Sequence, residues 1–142
     1  MTKSHITLKV LLGLAALSNM VIGLLGVIPA IPVHKVATLF YSAVLSVSPQ
    51  LEHITQMFGA YMLTIGILAA LALLDPVKNK FIVYGIIFML FLRTLQRIIF
   101  ANQASLVFDI PVVMYWVQTV VYFAFALLLL IFIMKVTRSS NT

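Results

Sequence analysis

The chain lacks cysteine altogether, so it can form no disulfide and hold no thiolate-bound zinc, iron-sulfur cluster or CxxC redox pair of its own. Charged residues are also scarce, at 8% of the 142 residues, and only three residues are acidic. His5, His34 and His53 show no metal-ligand spacing, and they fall at span ends or in a connector, where haem ligation is not expected. The sequence therefore predicts no catalytic residues, no metal site and no resident cofactor.

Apolar residues dominate what is present. They make up 63% of the chain, and the mean hydropathy of +1.18 lies far outside the range of soluble domains. A membrane-spanning helix needs about 20 mainly apolar residues to cross a hydrocarbon core about 30 Å thick. Four stretches, approximately 6–28, 51–74, 81–101 and 111–134, meet or approach that length. We therefore predict an all-α integral membrane protein in which residues 1–142 form one transmembrane four-helix bundle.

The span boundaries have local signals. Pro29 and Pro32 end the first span, whose length favours a retained helix over a cleaved signal peptide with its h-region of about 7–15 residues. Asp75-Pro76 is a turn signal after the second span, and Asp109-Pro111 is a start signal for the fourth. Between the first two spans, apolar residues recur at helical spacing at positions 36, 39, 40, 43 and 44. This spacing predicts a short interfacial helix.

The basic residues predict the orientation, because short basic loops stay cytoplasmic. With four spans, one side of the membrane holds most of the cations: Lys3, Lys9, Lys78, Lys80, Lys135 and Arg138. The opposite side holds Lys35 together with Glu52 and Asp109. Both termini are therefore predicted to be cytoplasmic, in a multi-pass protein of the cell inner (plasma) membrane. The cations form no stripe with interleaved aromatics, so nucleic acid is not expected as a partner.

Two arginines fall inside the third span, where a bilayer penalises charge. Arg93 and Arg97 are four residues apart and share one helix face, about 12 Å and about 6 Å below the turn at Ala101. Glu52 and Gln56 enter the second span from the same side. Because an arginine and a carboxylate can form two charge-assisted hydrogen bonds, we predict a pair between Glu52 and Arg97. Gln56 or Gln118 is expected to assist Arg93.

Glycines on two spans predict close helix packing. On the second span, Gly59 and Gly66 lie on the stripe that begins with Glu52 and Gln56, and small residues let helices approach closely. On the first span, Gly23 and Gly26 share a stripe with Ala15 and Asn19. Both stripes are expected to face the interior of the bundle.

Polar residues on other spans extend the arginine cluster. Gln118 shares a face with Tyr115 and Tyr122 on the fourth span, and Asn19 lies near mid-membrane on the first. The candidate ligand- or partner-binding residues are therefore Arg93, Arg97, Glu52, Gln56, Gln118, Asn19 and Tyr115. Two interpretations stay open. In the first, the cluster only holds the helices together through hydrogen bonds, each often worth below about 1 kcal/mol. In the second, it binds an anionic head group, a quinone oxygen or a partner carboxylate.

Three features together resemble a known family. The first span ends in a proline-containing loop, Glu52 opens the second span before the stretch 59–66 (GAYMLTIG), and the third span carries 93–97 (RTLQR). In these features the chain is similar to the DoxX-like group of small four-helix bacterial membrane proteins, over most of its length. The resemblance implies a four-helix fold. The group includes quinone-reductase subunits and many members of unknown role.

These observations favour a non-enzymatic accessory or scaffold subunit whose outer polar cluster binds a partner, a lipid or a quinone-like molecule. Such a subunit would sit in the lipid bilayer within a larger membrane protein complex or a homo-oligomer. The alternative is a component of a quinone-linked membrane oxidoreductase, with Arg93, Arg97 and Glu52 at the head-group site. A third hypothesis is a small oligomeric transporter, for which discontinuous helices would be expected.

Overall fold

The computed structural model describes residues 3–28, 38, 48–103 and 110–140. Their architecture is four helices: α1 (Lys3–Val27), α2 (Pro49–Leu74), α3 (Lys80–Ile99) and α4 (Val112–Ser140). Each helix is long and apolar enough to cross a membrane, and the described residues contain no strand. The predicted all-helical fold with four spanning helices is confirmed, which indicates a multi-pass membrane protein.

The ends of α2 follow from local chemistry. Ser48 is the N-cap, where its hydroxyl oxygen accepts a hydrogen bond from the Leu51 N–H at 3.2 Å, and Pro49 occupies the first turn. At the other end, Asp75 is extended because it precedes Pro76, and proline disfavours helical geometry in the residue before it. The Asp75 carboxylate then accepts the backbone N–H groups of Val77 and Lys78, which fixes the turn into α3.

The α4 helix begins as predicted and ends later than predicted. It starts directly after Pro111, whose carbonyl accepts the Tyr115 N–H at 3.0 Å. The predicted span stopped at Met134, before the first cation, but the helix continues to Ser140. Val136, which follows the cation Lys135, is 5% exposed and packs in the apolar core. The helix therefore stays buried beyond the residue at which the hydropathy of the sequence falls.

Consecutive helices run antiparallel. The α1 helix packs extensively against α2, and α3 packs against α4, while contacts between α2 and α3 and between α1 and α4 are fewer. Leu8 of α1 and Val136 of α4 belong to one apolar cluster, so the start of α1 and the end of α4 lie at the same end of the bundle. We call this the terminal end. The distal end is the opposite one, where α2 and α4 begin.

Glycines bring α1 and α2 into backbone contact. A Cβ atom placed on Gly23 would lie 2.5 Å from the Leu63 nitrogen, and one on Gly59 would lie 2.9 Å from the Gly26 Cα. A Cβ on Gly66 would lie 2.8 Å from the Met20 nitrogen. Only a residue without a side chain fits at these distances, so the predicted glycine stripes do face each other.

The apolar core lies in the terminal half of the bundle. Its largest fully buried members are Leu8, Leu12, Val83, Leu129 and Ile133. In the distal half, the buried positions include glycines and residues with polar groups, as at Thr94, Tyr115 and Thr119, beside the apolar Ile110. The distal half is therefore where the bundle can hold the two arginines.

Several predictions fall on residues outside the described ones. Most of the predicted interfacial helix within 31–50 lies there, as do His34, Lys35 and Asp109. The cytoplasmic location of the termini also stays a prediction. What the structure adds is that the start of α1 and the end of α4 lie at the same end of the bundle.

Candidate functional site

Arg97 lies half-buried between α3 and α4 and is held by α4. Its Nε–H donates to the Thr119 hydroxyl at 3.0 Å, and Nη2 donates to the Tyr115 carbonyl at 3.0 Å and to Gln118 Oε1 at 3.1 Å. In return the Tyr115 hydroxyl donates to the Arg97 carbonyl at 2.7 Å. That carbonyl is in the last turn of α3, where no intrahelical partner exists. Arg97 and Tyr115 therefore fasten the end of α3 to the start of α4.

Aromatic rings also contact the Arg97 guanidinium. Its central carbon lies 4.1 Å from the centre of the Tyr115 ring and 5.8 Å from that of Tyr122. Arginine is the cation most often found over aromatic faces, where the ring quadrupole attracts it by about 0.5–2 kcal/mol. The ring of Tyr115 thus provides a third type of contact beside its carbonyl and hydroxyl.

Arg93 lies one turn deeper and contacts both helix pairs. Its guanidinium carbon is 4.6 Å from the Tyr122 ring centre on α4 and 5.8 Å from the Phe58 ring centre on α2. Its Nη1 is 3.9 Å from the sulfur of Met62, also on α2. The Tyr122 ring therefore lies within 6 Å of both guanidinium groups. This arrangement joins α2 to the α3–α4 pair at a depth of about 9 Å from the end of α3.

The predicted pair between Glu52 and Arg97 is not formed. All described hydrogen bonds of the Arg97 side chain go to α4, and Glu52 forms no ion pair with a described residue. The physical reason is helix placement, since α3 packs closely against α4 and only sparsely against α2. Gln56 is half-buried and makes no hydrogen bond to Arg93. Gln118, predicted to assist Arg93, accepts a hydrogen bond from Arg97 Nη2 at 3.1 Å.

Asn19 takes no part in the arginine cluster. Its amide nitrogen donates to the Ala15 carbonyl at 2.7 Å, within α1 itself. Of the seven predicted site residues, the structure thus brings together four: Arg93, Arg97, Tyr115 and Gln118.

Thr119 is the contact that the sequence prediction missed. It is 3% exposed, and its hydroxyl accepts from Arg97 while donating to the Tyr115 carbonyl at 2.8 Å. The signal was present in the sequence, because Thr119 lies four residues after Tyr115 and three before Tyr122 on one helix stripe. Met62 and Phe58 could not be found this way, because they lie on another helix.

The acids among the described residues do not balance the charge of the cluster. Glu52 and Asp75 pair with neither arginine, and Asp109, the third acid, lies outside the described residues. Even if Asp109 is counted against one arginine, the two guanidinium groups keep a net charge of +1. In addition, Nη1 of Arg97 makes no hydrogen bond to the described residues. The cluster therefore presents positive charge and N–H donors to an acceptor from outside this chain.

The opposite side of the α3–α4 seam is an apolar groove. Phe91, Leu95, Trp116, Val120 and Phe123 are among the residues that line it, and Thr119 lies at its floor. Phe91 and Phe123 meet edge to face with ring centres 5.8 Å apart. The same threonine therefore separates a surface suited to a hydrocarbon chain from the arginine cluster.

Metal chemistry finds no support in the described ranges, where no group of three or more histidine, aspartate or glutamate side chains could hold an ion. His5 lies in the first turns of α1 and His53 in the first turns of α2. Comparison of the chain with protein-family models, with curated proteins and with solved structures gave no match.

Proposed function

We propose that this protein is a non-enzymatic accessory or scaffold subunit of the membrane whose distal arginine cluster binds the oxygen acceptor of a membrane-resident molecule. The cluster consists of Arg93 and Arg97 with Tyr115, Gln118, Thr119 and Tyr122. The acceptor chemistry is shared by a lipid phosphate, a quinone carbonyl and a carboxylate on a partner helix. The resemblance to the DoxX-like group belongs to the same proposal, and the four-helix architecture is compatible with it.

One observation carries the proposal: no described residue accepts from the Nη1 donor pair of Arg97, in a cluster that keeps positive charge at membrane depth. Charged groups inside a span are costly, and they usually face a ligand, an ion path or a partner. The Arg97 contacts on α4 are neutral, so they orient the guanidinium without cancelling its charge. An anionic acceptor would add charge-assisted hydrogen bonds, which are roughly twice as strong as neutral ones.

The groove beside Thr119 supports a lipid or quinone over a soluble anion. Its lining is almost wholly apolar and includes four aromatic side chains, as is usual where a hydrophobic ligand is bound. Apolar lining of this kind suits the tail of a membrane-resident molecule and not a soluble anion.

The test is native mass spectrometry and lipid extraction of the purified protein and three variants. We expect one amphiphile retained per protein, lost in Arg97→Gln and weakened in Arg93→Gln. Thr119→Val is the matched control, because it removes a contact that orients Arg97 but leaves both charges in place. It should keep most of the retained molecule. The identity of that molecule distinguishes a lipid from a quinone, and a bound protein would identify a partner carboxylate.

Two results would contradict the proposal. One is a native protein that retains no lipid, quinone or partner above the level of the arginine variants. The other is a loss of stability in Arg97→Gln and in Thr119→Val that is similar in size, with no change in bound molecules. In either case the cluster serves only to hold α3 against α4.

A further inference from the structure

The terminal end of the bundle carries an unbalanced set of cations. Six basic residues lie there with a single acid, which leaves a net charge of +5: Lys3, Lys9, Lys78, Lys80, Lys135 and Arg138 against Asp75. The Asp75 carboxylate already accepts two backbone N–H groups in the α2–α3 turn. None of these cations forms an ion pair with another described residue. Their positive charge therefore faces the surroundings of the protein.

Two of the lysines have a geometry suited to the membrane surface. Lys80 Nζ lies 5.7 Å from the centre of the Phe81 ring, and Lys135 Nζ lies 5.6 Å from that of Phe132. Phe81 is 79% exposed, as a ring that faces hydrocarbon would be. Lysine stems commonly run along apolar surface while the ammonium reaches the interface. On the neighbouring helices α3 and α4, the ammonium groups thus lie beside apolar rings at the membrane boundary.

Lys9 has a different role at the same end. Its ammonium donates to the Leu74 carbonyl at 3.1 Å, in the last turn of α2, where carbonyls lack intrahelical partners. Lys9 therefore joins α1 to α2, and it is not a suitable probe of the surface. Lys80 and Lys135 are better probes because the structure gives them no hydrogen bond within the fold.

We infer that the terminal end binds the phosphate head groups of anionic phospholipids in the adjacent leaflet, with Lys80 and Lys135 as principal contacts. The acyl chains then pack beside Phe81 and Phe132. Polybasic segments next to membrane helices attract anionic lipids in this way. This inference does not depend on the arginine cluster, which lies at the other end of the bundle.

The experiment places the purified full chain in vesicles of equimolar phosphatidylcholine and phosphatidylglycerol, extracts it, and measures the retained lipids. The native protein should be enriched in phosphatidylglycerol. The double variant Lys80→Gln/Lys135→Gln should lose enrichment by about fivefold for each charge removed, the equivalent of about 1 kcal/mol per cation. Lys80→Arg/Lys135→Arg is the matched control that keeps both charges and should keep the enrichment.

A high-salt measurement and a further variant test whether the enrichment is electrostatic and whether it depends on the two lysines. Raising the salt to 1 M shortens the screening length to about 3 Å and should reduce the enrichment. Gly85→Ala, whose added Cβ would meet no atom within 4 Å, should leave it unchanged. The proposed function is tested by Arg97→Gln instead, so the two can fail separately. Equal retention of both lipids by the native protein, or equal enrichment in the glutamine and arginine double variants, would overturn the inference. Displacement of phosphatidylglycerol by added inorganic phosphate would show that the terminal end binds free phosphate and would contradict the assignment of the lipid as its ligand.

Discussion

Replacing Gly23 of α1 by alanine tests the backbone contact between α1 and α2. The added Cβ would lie 2.5 Å from the Leu63 nitrogen, 2.8 Å from the Leu63 Cα and 2.9 Å from the Gly59 carbonyl oxygen. Helix backbone atoms cannot rotate away as the end of a side chain can, so the two helices must separate locally. Overpacking of this kind typically costs about 1–3 kcal/mol.

Gly85 of α3 provides the matched control, because a Cβ there would meet no atom within 4 Å. Alanine is favoured over glycine in a helix by about 0.8–1.0 kcal/mol, and this gain applies to both substitutions. It therefore cancels when the two variants are compared. Gly85→Ala should be more stable than Gly23→Ala by about 1–3 kcal/mol, which corresponds to a gap in Tm of about 4–12 °C.

The assay is thermal unfolding in one detergent, followed by the helical circular dichroism signal. Gly59→Ala serves as a second test from the α2 side, since its Cβ would lie 2.7 Å from the Gly26 carbonyl carbon and 2.9 Å from the Val27 nitrogen. It should behave like Gly23→Ala. Equal Tm values for Gly23→Ala and Gly85→Ala would refute the close approach of α1 and α2.

Three further predictions concern single hydrogen bonds, each measured as a free energy of unfolding. Thr119→Val should cost about 1.5–3 kcal/mol because the charged Arg97 donor loses its acceptor. Thr94→Val is the control and should cost at most about 1 kcal/mol, since Thr94 is similarly buried but bonds only to its own helix. Equal losses of stability in the two variants would contradict this prediction. Tyr115→Phe should cost about 0.5–1.5 kcal/mol by removing the bond to the Arg97 carbonyl while leaving the ring in place, and an unchanged stability would argue against that bond. Ser48→Ala should cost about 1 kcal/mol through loss of the α2 cap, and Ser48→Asp should restore it; failure of aspartate to do so would exclude capping as the cause.

Local patterns in the sequence predicted most of the fold. Apolar length defined four spans, and the helices begin within three residues of the expected positions because Ser48-Pro49, Asp75-Pro76 and Pro111 act on their immediate neighbours. The glycine stripes of α1 and α2 also predicted a close approach, since glycine at helical spacing leaves room on one face only. The end of α4 was less predictable, because hydropathy falls at Lys135 while tertiary burial continues at Val136.

The candidate site was harder to predict because it depends on which helices are neighbours. Helical rise gives the depth of Arg97, and Glu52 lies at a similar depth, whereas Gln118 lies about one helical turn deeper. Charge alone favours Glu52, which is why the predicted pair was wrong. The preference for α4 comes from the packing of α3 against it, where Thr119, Gln118 and the Tyr115 carbonyl supply three neutral acceptors at close range. Rotation and neighbour choice are global properties that no single helix encodes.

The dependence of Arg97 on α4 has a consequence for membrane insertion. Among the four helices, α3 has the lowest hydropathy, at 1.7, because it carries both arginines, and α4 has the highest, at 2.5. An arginine near the centre of an inserting helix costs about 2.5–3.5 kcal/mol during translocation. The acceptors that compensate Arg97 are synthesised after α3, as part of the following helix. The third segment therefore reaches its final depth together with the fourth, as a hairpin, and a nascent chain that stops before Val112 leaves its arginines without that compensation.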